Sequence, residues 1–490
     1  MSNQNIRKEY ILPKALFNLR RDVIDPGYCI GCGLCAVVAP AAIEMGFNRE
    51  GFYQAKEVAS LSQDAADRIS EICPFSDATP SESELGRLLY EGTENKSEYI
   101  GHYLSCHAIR VQEGDFRKNG SSAGFGSWIL CEMLRRGVVD SVIHVGVPES
   151  GPTSEEKLFG YCVSETPEDV QRNSRTKYYP IELASVLSQL ADDDRKYAIT
   201  GVPCFMKGIQ ALRRIDSRWE RQIVFTVALF CGHLKSKLLV ENLIEGSGSS
   251  VDRIASLRFR DKSPGDPANK YVARIVEANG DERRVAWSTV FGSDWATGFF
   301  KYMACNFCDD VVGETADISV GDAWLAEYVE DSMGTNNVII RNPILREFVI
   351  SGIADGRLWS ENLSESDVLR STAGGFRDRR EGLSSRLYME RAAGRNPPTK
   401  RVAPATNGIE RSRRELYALK MIVAWLSPKT YLLARRLKWR AVFVFLMAPC
   451  IAVYKYKRLR FILRIPLFTT LNKLMRRFMP TYVSDPHEGS

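Results

Sequence analysis

Three cysteines, Cys29, Cys32 and Cys35, stand in the pattern C-x2-C-x2-C, and a fourth, Cys73, precedes Pro74 farther along the chain. Nothing else in the sequence restricts the fold as much. Thiolates at this spacing suit a cubane iron–sulfur cluster: a tight loop wraps three of them, and a distant Cys-Pro brings the fourth. Gly31 and Gly33 give the loop the backbone freedom it needs. A bacterial ferredoxin run would continue to another Cys-Pro, but Ala39-Pro40 stands there. In two-cluster ferredoxins that cysteine serves the other cluster. The residues therefore predict a single 4Fe–4S centre on Cys29, Cys32, Cys35 and Cys73. A zinc knuckle or free thiols are the alternatives, and this spacing is unusual for zinc.

The chain has 490 residues, 44% apolar and 26% charged, which excludes a disordered chain, a collagen and a coiled coil. Twelve cysteines are too few for a disulfide scaffold. Met1–Lys14 carries no apolar run of the secretory kind, so a reducing, cytoplasmic compartment is expected. The net charge of +6 is uneven: between Arg411 and Pro480 there are 17 Lys and Arg against one acid, Glu415. The basic surplus thus belongs to a tail with its own anionic partner, and no nucleic-acid partner is expected for the whole body.

The expected fold class is α+β or mixed α/β. A small ferredoxin-like cluster domain (1–75) leads by a linker (76–98) into a mixed α/β domain (99–391). A second linker (392–410) precedes a basic amphipathic helical tail (411–490). Apolar runs at Val138–Val147, Tyr197–Thr200, Ile223–Phe230 and Ala316–Val320 read as strands. Ser127–Arg136, Ile181–Ala191 and Phe205–Arg214 between them read as helices.

A second set of thiols is scattered. Cys204 and Cys231 follow two of the expected strands, where open α/β sheets place their sites. Cys305 and Cys308 form a C-x2-C pair ahead of Ala316–Asp322. Four such thiols suit a cluster, a zinc ion, or simple burial. Asn119, Gly120, Ser121, Ser122, Gly124 and Gly126 lie before an expected helix. Free N–H groups at such an entrance can bind phosphate, although the run is neither a GxGxxG nor a Walker loop and equally reads as a capped loop. Lys177 and Tyr178 add a cation and an aromatic ring that suit a flavin or a solvated surface.

Taken in order, these pieces resemble the family of coenzyme F-420 hydrogenase/dehydrogenase beta subunits, which are iron–sulfur flavoproteins. The likeness runs over about residues 25–345 and includes Gly201-Val202-Pro203-Cys204, Phe230-Cys231-Gly232-His233 and Phe259-Arg260-Asp261-Lys262. It implies a bound flavin, FAD, held by Asn119, Ser121, Ser122, Gly124, Gly126, Lys177, Tyr178, Gly201 and Pro203. It also implies a second 4Fe–4S centre on Cys204, Cys231, Cys305 and Cys308. The implied activity is that of an oxidoreductase exchanging electrons between clusters and a hydride-type substrate or deazaflavin. A redox partner protein or ferredoxin would serve it, in a surface-polysaccharide or reductive biosynthetic pathway. A flavin joins one-electron and two-electron chemistry. Lys177 is the candidate to steady its reduced form, and Arg260 and Lys262 are candidates for an anionic substrate group, with surface salt bridges the alternative.

The tail, outside the resemblance, mixes cations with Trp425, Trp439, Phe443, Phe461, Leu467 and Phe478. Its longest apolar run, Ala441–Tyr454, is short for a span and suits an anionic membrane surface at the inner face. A helical extension packed on the acidic body is the alternative. Two further readings stand beside the enzyme: an electron-transfer subunit without a substrate site, and a zinc-stapled membrane-associated scaffold.

Overall fold

The computed structural model describes residues 17–147, 157–190 and 193–463. The expectation about Met1–Lys14, and the parts of the tail at Leu467 and Phe478, lie outside the described residues. Fifteen strands are present among them. They are β1 (Ile43–Phe47), β2 (Tyr53–Glu57), β3 (Asn95–Ser97), β4 (Gly101–Tyr103), β5 (Ser105–Val111), β6 (Ser141–Gly146), β7 (Gly160–Ser164), β8 (Tyr197–Gly201), β9 (Ile223–Leu229), β10 (Ile254–Asp261), β11 (Val272–Glu277), β12 (Glu282–Ala286), β13 (Ile318–Asp322), β14 (Asn336–Ile340) and β15 (Leu358–Asn362). The mixed α/β class expected from the sequence is what forms.

Eight strands make one sheet in the order β15-β5-β14-β13-β9-β8-β6-β7. Its centre, β6-β8-β9-β13, is parallel, and its flanks are antiparallel. The central strands alternate between two cores, as period-two geometry requires. Val142, Ala198 and Val227 face a cluster under the helices Phe125–Arg135 and Pro343–Ala354, with Trp128 and Phe348. Ile143, Ile199 and Ala228 face the opposite cluster, with Phe205, Ile209 and Leu212 of the helix Pro203–Ile215.

That second core also contains Leu34, Ile69, Ile72 and Phe75, so the cysteine-rich segment packs directly on the large sheet's covering helix. Gly208 makes the approach close: a Cβ there would stand 2.5 Å from Leu34 Cδ1. The segment 76–98 is more than a connector. It holds the helix Glu82–Tyr90, started by a reciprocal Ser81–Glu84 cap. The helix expected over Ile181–Ala191 is reduced to Ala184–Leu187 and a following tight turn. Pro180 and Ile181 precede it as extended chain lining a cavity.

The tail folds as two helices, Arg411–Arg436 and Ala441–Leu463. Phe443 is buried among Phe291, Phe299, Phe300 and Tyr431. Arg435 pairs with Glu241, and Lys429 pairs with Glu50 at 2.7 Å. The packed alternative therefore describes the inner face of the tail. Among the described residues no helix is long and apolar enough to cross a membrane.

Candidate functional site

The first quartet assembles around the loop that the glycines permit. Gly31 and Gly33 take φ values of 70° and 85°, and a Cβ on Gly31 would stand 2.5 Å from the Tyr53 carbonyl oxygen. Burial raises the pKa of Cys29, Cys32, Cys35 and Cys73, in the last to about 11. The Cys35 thiol is also raised by the charges of Cys32, Cys29 and Cys73. Backbone N–H groups oppose this: those of Ala55 and Gly31 reach Cys29, and those of Phe75 and Ser76 reach Cys73. Such donors favour the thiolate, the form that ligates metal.

The scattered thiols also converge. Burial raises the pKa of Cys204, and so do the charges of Cys308, Cys231, Cys305 and Cys32. Burial likewise lifts Cys231 to about 12, with Arg379 opposing. The Leu234 N–H donates to Cys305 Sγ at 3.2 Å. Cys305 and Cys308 sit on a turn that arginines brace. Arg386 donates to the Asn306 carbonyl at 2.7 Å, and Arg401 holds Glu314 by two bonds of 2.7 and 2.8 Å. Arg401 comes from the segment expected to be a linker; it anchors this turn instead.

The two quartets adjoin: Gly208, one helical turn after Cys204, meets Leu34, between Cys32 and Cys35, and Cys32 acts electrostatically on Cys204. Tyr161 lies at the junction, within electrostatic range of both thiols. Tyr302 does the same for Cys29 and Cys305. Among the described residues no three His, Cys, Asp or Glu side chains gather around a single-ion site. A cubane sets its four thiolates around a body larger than one ion, and buried thiols with inward N–H donors fit that group.

Cys231 opens onto a cavity of about 1370 Å³ at the carboxyl ends of β8, β9 and β13, where α/β sheets bind ligands. Pockets for one drug-sized ligand hold about 300–1,000 Å³, so this one has room for more. Ser121, Ser122, Gly124 and Gly126 line it, as do Lys177, Tyr178, Gly201 and Arg260. Gly124 has φ 87° and precedes the helix Phe125–Arg135. The first-turn N–H groups of a helix have no intrahelical acceptor, and Gly126 and Ser127 are at the cavity wall.

Other expected residues lie behind that wall. The Asn119 carbonyl accepts from Ser174 Oγ at 3.0 Å, and Pro203 opens the helix Pro203–Ile215. The three candidate catalytic cations have protein partners. Lys177 Nζ donates to the carbonyls of Val145, Asn173 and Ser174, and burial lowers its pKa to about 8. Lys262 Nζ donates to those of Arg117, Ser122 and Met333. Arg260 pairs with Asp322 at 2.8 and 3.2 Å and covers the Tyr271 ring at 4.4 Å.

Sequence reasoning missed the aromatic and cationic wall beside Cys231. His233 stacks on Trp295 with centroids 4.8 Å apart. Its Nε2 is buried and bonds nothing. Burial, then Lys235 and Lys301, hold its pKa well below the usual value. Lys235 lies 4.8 Å from the Trp295 centroid. The place of His233 just past the end of β9 was the one signal available.

The fold and site thus define a mixed α/β protein with two adjoining sets of cysteines, one of which reaches a large cavity through Cys231. The chain belongs to the family of coenzyme F420 hydrogenase/dehydrogenase beta subunits, which are oxidoreductases. The profile of the family's N-terminal part matches residues 106–188, and that of its C-terminal part matches 194–366. The chain is 21% identical over 334 residues to the coenzyme F420-dependent sulfite reductase of Methanocaldococcus jannaschii, covering 65% of this chain and 45% of that protein. It therefore spans under half the length of that relative. It is 22% identical over 328 residues to one component of the F(420)H(2) dehydrogenase of Methanosarcina mazei, covering 64% of this chain and 82% of that one. A chain of the F420-reducing [NiFe] hydrogenase complex of Methanosarcina barkeri aligns with a TM-score of 0.47 at 18% identity. That alignment covers 62% of this chain and 98% of the other.

Proposed function

We propose that the chain is an iron–sulfur flavoprotein that passes electrons between a redox partner protein and a small-molecule substrate. The observation that carries this is the placement of Cys231, which belongs to the second quartet and also lines the cavity. A flavin would supply the exchange between two-electron and one-electron chemistry. Cys29, Cys32, Cys35 and Cys73 would hold one cluster, and Cys204, Cys231, Cys305 and Cys308 the other. The N–H groups of Gly126 and Ser127 would hold phosphate, and His233 would offer a hydrogen bond to the ring bound beside Trp295. Lys177, Lys262 and Arg260 would act through structure: their bonds fix the loops that shape the pocket. The relatives' names support coenzyme F420 as the first substrate to assay.

The outer face of the tail supports a peripheral location. Trp439 and Phe445 are 65% and 79% exposed, and Trp425 and Leu437 are exposed with Arg436 and Lys438 beside them. Aromatic rings with cations suit an anionic lipid surface.

Anaerobically purified protein should carry flavin and iron, and its flavin should be reduced by a hydride donor. Colourless protein after anaerobic reconstitution would overturn the reading. Flavin without reduction by any small donor, but with reduction by a ferredoxin, would make it an electron-transfer subunit.

A further inference from the structure

Three arginines from one stretch of helix bracket the second set of thiols. Arg379 and Arg380 lie on the turn Asp378–Gly382, and Arg386 lies on the helix Leu383–Ala392 that continues it. All three fall beyond the segments that match the family profiles, 106–188 and 194–366. Each donates to a backbone carbonyl beside a cysteine of that set. Arg379 Nη2 reaches the Gly232 carbonyl, next to Cys231, at 2.8 Å. Arg380 reaches the Asp309 carbonyl, next to Cys308, and Arg386 reaches that of Asn306, between Cys305 and Cys308.

Their charges are not answered alike. Arg386 has Asp378 at 3.3 Å, and Arg380 has Glu314 at 4.0 Å. Among the described residues Arg379 has no carboxylate at ion-pair distance; Asp378, its chain neighbour, lies against Lys301, Lys420 and Arg386. Yet Arg379 is 3% exposed, and its Nε is buried with no bonding partner. A guanidinium does not lose its proton in a protein, and a buried charge calls for an opposite charge beside it. Beside it stands Cys231, one residue from the carbonyl that Arg379 holds, and both line the cavity. Against the effect of burial, the thiols of Cys308 and Cys231, ahead of Asp378, favour the charged form of Arg379.

We propose that Arg379 is the counter-charge of the metal centre held by Cys204, Cys231, Cys305 and Cys308, and that it raises that centre's reduction potential. The proposal rests on the cluster reading of these thiols given above. Four thiolates around an iron–sulfur core carry net negative charge, and reduction adds one electron and so one more negative charge. A fixed cation beside the sulfurs stabilises the reduced form more than the oxidised one, because net charge and hydrogen bonds to sulfur set such potentials. At the first quartet the cation is compensated: Lys207, which acts on Cys73, pairs with Glu82 at 3.2 Å. Arg379 thus favours an electron resting at the centre that reaches the cavity.

The test is a mediated redox titration of the full chain, followed by electron paramagnetic resonance, with iron counted in each sample. The second centre's signal is the one that Cys231→Ala removes. Arg379→Gln should lower its potential by about 59 mV, the measure of a tenfold change in a one-electron equilibrium, and leave the first centre's potential in place. Arg379→Lys, which keeps the charge, should recover most of that shift, and the shift should persist in flavin-free protein. An unshifted potential in Arg379→Gln, an equal shift in both variants, or a shift that needs bound flavin would overturn the proposal; the last would assign Arg379 to the cavity's ligand. If Arg379→Gln sheds iron, Arg379→Lys decides: iron retained there supports the counter-charge, and iron lost from both variants overturns it. Wild-type protein with iron in the first quartet alone would remove the second centre and the proposal with it. A full iron complement with unshifted potentials removes only the counter-charge.

Discussion

Gly208 and Leu34 touch so closely that a Cβ on the glycine would stand 2.5 Å from the leucine's Cδ1. Leu34 lies between Cys32 and Cys35, and Gly208 lies one helical turn after Cys204. This contact therefore sets how near the two quartets come. The same Cβ would also stand 3.2 Å from Pro74, the neighbour of Cys73. Gly208→Val should cost about 1–3 kcal/mol by overpacking. It should also slow electron passage between the centres while leaving each intact, as thermal melting, iron content and stopped-flow reduction would show. A variant as stable and as fast as wild type would mean that the contact is loose.

The quartets should lose metal independently. Cys35→Ala should remove about four iron atoms per chain and leave the flavin, because none of its four cysteines lines the cavity. Cys231→Ala should remove a similar number and also shift the flavin spectrum, because Cys231 is at the cavity wall. Unchanged iron in either variant, measured chemically, would sink that ligand assignment.

Arg401 is a half-buried brace beside the turn that holds Cys305 and Cys308. Its guanidinium holds Glu314 and Asp309, and burial lifts the Glu314 carboxyl to about 7 in spite of the arginine. Arg401→Ala would remove the hydrogen-bonding partner of two buried acids while Arg380 stays near Glu314 and Lys400 near Asp309, a change that costs about 1–3 kcal/mol. Denaturant unfolding should show that loss, and Arg401→Lys should recover only part of it, since Lys lacks the fork that meets both oxygens.

Stability should depend on pH through Lys262. Burial, then Arg117, Arg175 and Arg260, lower its pKa to about 7, below the value of about 10.4 in an unfolded chain. Between those values the unfolded state binds more protons than the folded one, so this group's contribution to stability rises with pH across that window and is lost as pH falls. Lys262→Met should flatten the stability profile between about pH 7 and 10. A parallel profile would show that Lys262 stays charged among its three carbonyls.

The tail's outer face should bind vesicles containing phosphatidylserine and release them at high salt. Trp439→Ala and Phe445→Ser should weaken that binding without lowering the melting temperature, because both side chains are exposed. Equal binding to neutral vesicles would point to apolar contact alone.

The parts of this molecule readable in the sequence are those in which local spacing does the chemistry. Cys29 and Cys32 lie on one loop and Cys35 in the helix Leu34–Val38 that follows it, and the loop's glycines have the φ values it requires. β8 and β9 are short apolar runs that end just before Cys204, in the first turn of the next helix, and Cys231, so their strand ends are visible too. What tertiary contact decides is not readable. Lys177, Lys262 and Arg260 read as ligand-binding cations, yet each bonds at least one protein acceptor from a distant segment. His233 reads only as part of a motif, because Trp295, which turns it into a cavity wall, comes from a loop far along the chain. The apolar run Ala441–Tyr454 cannot say whether Phe443 meets lipid or protein; Phe299 and Tyr431 decide it.

The central claim is that two four-thiol centres adjoin, with one of them at the cavity. Electron paramagnetic resonance of the dithionite-reduced protein tests this most directly. Two neighbouring reduced centres should give a broadened, magnetically coupled spectrum that collapses to a single simple signal in Cys231→Ala. A simple uncoupled signal in the wild type, unchanged in that variant, would contradict the claim.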